Sequence, residues 1–346
     1  MTQVGIIGVG FMGMVHYLTY QKLANVKVAA LCDSVPSRLA GDWTDIKGNF
    51  GPAGTQMDLS GVATYENVDD MLADENLDVI DICLPPSAHA DVAVKALNAG
   101  KHVFSEKPMA LTIEDTERMV ATSQSTGKLL MVGHVLPTFP EFDFAIRTAR
   151  SGEYGKLLGG HFRRVISDPS WLPHFYDPNR VGGPMLDLHI HDAHFIRYMF
   201  GKPNAVTSQG RMRGEVVEYF NSQFNYDEGY TVSATSGVIR QQSRAFLHGY
   251  EIHLEQATLA FEFAVIDDQP TVAMPCTVFP AEGKSFQPEL GSGDPMDAFE
   301  IELTHVVQGI ESGEPAEFLQ AGLAQDAIRI CQQQTESVKS GQTVSI

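Results

Sequence analysis

Apolar and polar positions follow two different rhythms along this chain, and the change of rhythm divides it. Up to about residue 133, short apolar runs at 4–7, 26–32, 78–84, 101–105 and 128–132 have the length of buried strands. Helical spacing fills the gaps: Phe11, Val15, Leu18 and Leu23 after the first run, then Ala90, Val94 and Leu97 within 87–98, stopped by Gly100. Another helix is predicted over 113–125, with Gly127 beyond its end. Such alternation predicts a parallel, doubly wound sheet with right-handed crossovers. Residues 41–61 interrupt it with Gly41, Gly48, Gly51, Gly54 and Gly61 and read as a surface excursion.

Beyond 133 the rhythm changes. A helix near 140–150, a strand over 157–166 and a loop rich in proline and aromatics over 167–181 precede a helix over 184–200, opened by Pro184 and closed by Gly201. The stretches 216–226, 230–238, 251–259 and 260–266 alternate or are apolar, which predicts a mostly antiparallel sheet. A long loop over 280–294, helices over 296–311 and 317–337 and a short strand over 343–346 finish the chain. The predicted class is α/β: a dinucleotide-binding domain over 1–133, then an α/β domain with a large antiparallel sheet over 134–346.

The first 33 residues carry the sharpest chemistry. The strand at 4–7 runs straight into Gly8-Val9-Gly10-Phe11-Met12-Gly13, a helix follows, and the second strand ends at Asp33. This is the whole Rossmann dinucleotide unit, in which Gly8 allows the tight turn, Gly10 the approach of the pyrophosphate and Gly13 close helix–strand packing. Phe11 and Met12 open the helix whose N-terminus receives the diphosphate. Asp33, 20 residues after Gly13, stands where a carboxylate accepts the ribose hydroxyls and favours NAD. Arg38 lies close enough to pair with a 2′-phosphate, which leaves NADP as a second option.

Length and composition set bounds. A chain of 346 residues has room for two domains, and 43% hydrophobic with 19% charged residues is an ordinary globular balance. The net charge of −19 opposes nucleic acid and anionic membrane surfaces. Cys32, Cys83, Cys276 and Cys331 are scattered without a Cys-x-x-Cys pair and read as structural thiols. The chain enters a strand at once and no apolar run approaches 18 residues, so a cytoplasmic protein without a membrane span is expected.

In a parallel sheet, ligands bind beyond the carboxyl ends of the strands. That rule places Leu84, Pro85 and His89 near the cofactor, together with Glu106 and Lys107 ahead of Pro108. An ordinary surface lysine before a turn has the same spacing, so both readings of Lys107 stay open on spacing alone. On a regular helix Asp187, His191 and His194 share one face, and an acid one turn from an imidazole suits a general base. A helix-stabilising pair fits equally well. A metal held by Asp187 and His191 needs ligands from elsewhere, and no metal is assigned. In the 167–181 loop, Trp171 and Tyr176 are candidates to stack on a sugar, and His174 to bind hydroxyls; a loop that simply docks on its domain is the alternative.

Together these segments resemble the Gfo/Idh/MocA family of NAD(P)-dependent oxidoreductases. The likeness rests on the glycine turn, Leu84-Pro85-Pro86-Ser87-Ala88-His89, Ala99-Gly100-Lys101-His102-Val103 leading to Glu106-Lys107-Pro108, Gly133-His134, and the Asp187/His191 helix. The resemblance implies a cis Lys107–Pro108 peptide, Lys107 bonded to the reacting oxygen, His191 taking the hydroxyl proton and Asp187 supporting the imidazole. It implies hydride transfer between nicotinamide and a secondary hydroxyl or ketone of a sugar, inositol or related polyol, in a homodimer or homotetramer formed through the C-terminal sheet. Bound-NAD glycoside hydrolysis by transient oxidation and a non-catalytic dinucleotide sensor are the rival readings. The chain departs from the family pattern at Pro86, where Asn is usual, at Val135-Leu136-Pro137, which replaces the Asn and Arg often found there, and at His194, where Asp is frequent.

Overall fold

The computed structural model describes residues 1–346 apart from Asn49, Trp171 and Pro173. Eleven elements open the chain: Thr2–Ile7 (β1), Phe11–Tyr20 (α1), Val26–Cys32 (β2), Pro36–Leu39 (α2), Ala63–Tyr65 (β3), Val68–Leu72 (α3), Val79–Ile82 (β4), Pro86–Asn98 (α4), His102–Glu106 (β5), Ile113–Thr126 (α5) and Leu130–Gly133 (β6). The strands form one parallel sheet in the order β3-β2-β1-β4-β5-β6. Five are the expected runs, with ends that differ by at most two residues. The edge strand β3 was not foreseen, because three residues are too few to show a period. Helix α5 shows how local sequence sets its ends: Thr112 accepts the Asp115 N–H, acids fill the first turn, and Gly127 ends it at φ 66°.

The remainder runs Pro140–Ser151 (α6), Leu157–Ser167 (β7), a π-helical turn Met185–His189, Ile190–Phe200 (α7), Ala205–Arg213 (β8), Val216–Asn225 (β9), Thr231–Ile239 (β10), Arg244–Leu254 (β11), Ala257–Ile266 (β12), Gln269–Pro280 (β13), Pro295–Ser312 (α8), Ala321–Ser340 (α9) and Thr343–Ser345 (β14). Eight strands make the second sheet, β13-β12-β11-β7-β10-β9-β8-β14. It is antiparallel except where β7 pairs with β10. Its core is aromatic: Phe142 of α6 meets Phe195 of α7 edge-on at 5.0 Å and Tyr250 of β11 at 5.2 Å. Each such pair adds ~1 kcal/mol beyond the area it buries.

Contacts divide the chain into Met1–Thr138 with Ser292–Gln325, and Phe139–Gly291 with Asp326–Ile346. The first boundary lies near the expected 133, but the second unit is not the continuous 134–346 that was expected. Helix α8 packs with the first unit: Phe299 lies 6.0 Å from the His16 ring, and Ala298 O accepts the Thr138 hydroxyl at 2.9 Å. The 41–61 segment is likewise more than a surface excursion, since Trp43 is fully buried and meets Tyr17 of α1 edge-on at 5.0 Å. Among the described residues no helix is long and apolar enough to cross a membrane.

Candidate functional site

The glycine turn has the geometry that the dinucleotide reading requires. Gly8 sits at φ 94°, and a Cβ there would meet the Cys83 carbonyl oxygen at 2.6 Å. A Cβ on Gly13 would lie 2.0 Å from the Gly8 oxygen, so this glycine is fixed by packing. Gly10 is different: nothing stands within 4 Å of where its Cβ would be, and it begins α1 with no side-chain cap. Space over Gly10 and uncapped N–H groups in the first turn fit a diphosphate. Phe11 and Met12 are partly exposed beside it.

Asp33 stands at the end of β2 with Oδ2 accepting the Val9 N–H at 2.7 Å and Oδ1 accepting the Val35 N–H at 2.8 Å. Each oxygen keeps a second lone pair for a ribose hydroxyl. Arg38 lies 3.8 Å from Asp33 and 3.4 Å from Asp45, so the guanidinium is beside the carboxylate, as the sequence spacing suggested.

At the ends of β4 and β5 the expected residues separate into two groups. Leu84 is partly exposed and Pro85 exposed, both available to a ligand. Lys107 is partly exposed while its neighbours from 103 to 110 are all buried, and its peptide bond to Pro108 is cis. His89 and Glu106 are turned inward instead. His89 is fully buried, with Nδ1 2.9 Å from Pro108 O and Nε2 2.7 Å from Leu84 O; burial lowers its pKa against the pull of both carbonyls. Glu106 is buried, and its Oε2 accepts the Lys107 N–H at 3.0 Å. Both side chains are spent on backbone groups of the segments that carry Leu84 and Lys107. A network the sequence reading missed lies behind them: His16 of α1, Asp81 of β4 and Glu302 of α8, all fully buried. A charged residue inside the apolar run 79–82 is the signal that pointed there.

In the second unit, Asp187 lies in the π-helical turn and His191 at the start of α7. From 183 to 196 every residue is buried except these two. Single π turns inside helices are frequent at functional sites, and here Gly182 and Gly183, at φ 85° and 71°, lead into it. His194 does not share their environment; it is fully buried with its ring stacked on Tyr198, 6.4 Å between centroids. The π turn changes the angular step between Asp187 and α7, so the face drawn for a regular helix across 187–194 does not hold. Beneath the pair, Arg164 grips Asp192 with both nitrogens, at 2.8 and 3.2 Å. His189, fully buried, meets Gln334 at 3.1 Å, and burial pushes its pKa down to about 4 despite Asp192 at 3.9 Å.

In the 167–181 loop Trp171 lies outside the described residues. Tyr176 donates its hydroxyl to Asp168 at 2.9 Å, and the Arg213 guanidinium covers its ring at 3.7 Å, leaving at most one face for a sugar. His174 is exposed, with a left-handed backbone at φ 67°.

Two family profiles match the chain: "Oxidoreductase family, NAD-binding Rossmann fold" over residues 2–134 and "GFO/IDH/MocA C-terminal domain" over 144–260. An uncharacterized oxidoreductase, YrbE of Bacillus subtilis, is 29% identical over 57% of this chain and 53% of its own. The chain thus spans about half the length of that relative. Myo-inositol 2-dehydrogenase of Thermotoga maritima is 27% identical over 73% of this chain and 72% of its own. A levoglucosan dehydrogenase solved with NADH and levoglucosan has the same fold, with a TM-score of 0.78 at 19% identity over 100% of this chain and 99% of its own. With both family profiles in chain order and the glycine turn open above Gly10, the chain belongs to the Gfo/Idh/MocA oxidoreductases and carries their NAD-binding Rossmann domain.

Proposed function

We propose that the protein is an NAD-dependent dehydrogenase that oxidises a secondary hydroxyl of a sugar, inositol or related polyol, or reduces the matching ketone. What carries this reading is selective exposure: Lys107 is the only residue of 103–110 that is not buried, and Asp187 and His191 the only ones of 183–196. A partly exposed lysine, acid and imidazole, each set among buried positions, are the groups placed to meet a ligand. The relatives named for myo-inositol and levoglucosan support the substrate class.

Bound along Gly10 and Asp33, the nicotinamide cofactor supplies the hydride acceptor. Lys107 donates a hydrogen bond to the substrate oxygen and stabilises the charge that grows there as the O–H proton leaves. His191 accepts that proton, and Asp187 orients the imidazole and favours its charged form. In the reducing direction the imidazolium returns the proton. Leu84 and Pro85 line the cofactor side, and His174 and Tyr176 contribute substrate contacts.

The unbridged cysteines fit a reducing cytoplasm. Ile266, Val272, Met274 and Phe279 on β12 and β13 are each more than a third exposed, which suits a homodimer or homotetramer formed through the second sheet. Light scattering on the purified protein tests that assembly; a monomer at micromolar concentration refutes it.

The deciding experiment follows absorbance at 340 nm with NAD or NADP and a panel of inositols, sugars and anhydrosugars. Lys107→Ala and His191→Ala should abolish turnover of whichever substrate reacts while NAD binding persists. Near-normal kcat in either variant removes that residue from the mechanism.

A further inference from the structure

His16 connects two parts of the Rossmann unit that the cofactor reading treats separately. It lies in the second turn of α1, the helix whose first turn receives the diphosphate, and it is fully buried. Its Nδ1 bonds Asp81 Oδ2 at 2.9 Å, and its Nε2 lies 3.3 Å from Glu106 Oε1. Cys83 is 3.3 Å from the same Nδ1 and donates to Asp81 Oδ1 at 3.4 Å. The second oxygen of Glu106 holds the Lys107 N–H at 3.0 Å. Two hydrogen bonds and, between them, the 3.3 Å His16–Glu106 ion-pair contact link Asp81, His16, Glu106 and Lys107, from β4 through α1 to the residue after β5. The 2.9 Å between Nδ1 and Oδ2 is shorter than the ~3.3 Å separating two ligands of one tetrahedral zinc, so the cluster is shaped for hydrogen bonds.

The charges agree with the distances. Burial by itself would discharge His16, but Asp81 and Cys83 outweigh it and hold the imidazole well above its usual pKa. Burial also works against the charge of Glu106, and His16 with Lys107 overcomes it. Glu302 faces the same cluster from α8; burial, reinforced by Glu106 and Asp81 against the pull of His16, holds its pKa well above the ordinary carboxylate range. Neither Glu302 oxygen has a hydrogen-bond partner among the described residues. The imidazole of His16 thus sits between the side chains of Asp81 and Glu106, with Glu302 beside them. For stability alone, packed apolar residues would serve as well or better.

We infer that His16 is a positioning residue for Lys107: set between Asp81 and Glu106, it orients the carboxylate that holds the Lys107 backbone N–H, and so ties the lysine to the helix that receives the cofactor. The inference rests on the reading of Lys107 as the residue that meets substrate.

The test uses the NAD-saturated full chain and four variants: His16→Gln, Glu106→Gln, the pair together, and Lys107→Ala as the reference. Amide exchange at Lys107 is followed by NMR, and kcat and the KM for NAD are measured with the polyol that reacts best. Both single variants should speed Lys107 exchange by about tenfold, the worth of one hydrogen bond, and leave Val9 exchange unchanged. They should lower kcat by about 10²-fold, as a displaced catalytic group does, with little change in KM for NAD. The double variant should lose no more than the worse single, because both act through the same linked contacts. Glu106→Gln, which is the same size but has one acceptor oxygen to divide between the Lys107 N–H and His16, carries the test if His16→Gln does not fold. Unchanged exchange, unchanged kcat beside an inactive Lys107→Ala, or additive losses would each overturn the positioning role alone. An active Lys107→Ala would overturn the functional reading, and this inference with it.

Discussion

Arg164 holds both oxygens of Asp192, at 2.8 and 3.2 Å, one residue beyond the partly exposed His191. Both side chains are buried, so the pair has lost its water and each partner depends on the other.

Asp192→Asn should therefore destabilise the protein by ~3–5 kcal/mol, because it leaves a buried guanidinium without a counter-charge. Replacing both, Arg164→Met with Asp192→Leu, should recover most of that loss in urea unfolding. If the pair also sets the register of the turn carrying Asp187, turnover of the double variant stays low after stability returns. Full recovery of kcat would reduce the pair to packing.

The two glycines flanking the start of α1 should respond in opposite ways. Gly13→Ala forces a carbon to within 2.0 Å of the Gly8 oxygen and should cost about 1–3 kcal/mol of stability. Gly10→Ala meets open space, so its thermal midpoint should hold while NAD affinity falls roughly tenfold or more, that is by at least ~1.4 kcal/mol. Calorimetric titration with NAD separates them; unaltered affinity in Gly10→Ala would mean that the diphosphate lies elsewhere.

Cofactor choice should turn on Asp33 and its neighbour. Asp33→Asn keeps an acceptor for the backbone N–H groups of Val9 or Val35 but removes the charge that repels a 2′-phosphate, and it frees Arg38 at 3.8 Å to meet one. The ratio of kcat/KM for NADP over NAD should rise by about tenfold to a hundredfold. A constant ratio would detach Asp33 from the ribose.

Stability should fall toward alkaline pH. The folded chain holds the Glu302 proton more tightly than the unfolded chain does, because burial, Glu106 and Asp81 all disfavour its charge. Its contribution is complete below an unfolded value of ~4.3 and is lost as pH rises through the higher folded value. The raised pKa of His16 acts in the same direction, starting above ~6.5. Glu302→Gln removes the first titration, so its thermal midpoint should exceed that of the parent at alkaline pH and approach it in acid. About 1 kcal/mol moves the midpoint of a chain this size by ~2–4 °C. Parallel midpoint curves across the whole range would show that Glu302 is charged in the fold.

What was legible in the residues was what depends on near neighbours. Helix α5 announced itself through Thr112, its first-turn acids and Gly127, and the glycine turn through its place between a strand and a helix. The cis bond before Pro108 was implied only by the family likeness and is present. Side chains that look alike in sequence proved harder. His89 and His194 stand among the same kinds of residue as His191, yet both are fully buried. Periodicity assumes a regular helix, and the π turn at Met185–His189 breaks that assumption where the chemistry lies.

By itself the sequence determined the α/β class, the alternation of strands and helices before 133 and the mostly antiparallel sheet after it, the dinucleotide turn with Asp33 and the short set of residues able to do chemistry. These follow from periods of two and 3.6 and from backbone demands that act over a few residues. Only the tertiary structure decided which of those residues stay accessible, that 292–325 packs with the first unit, and that His16, Asp81, Glu106 and Glu302 converge in one buried cluster. Their partners are separated by tens to hundreds of residues, and such pairings exist only once the sheet has set its strand order and depth.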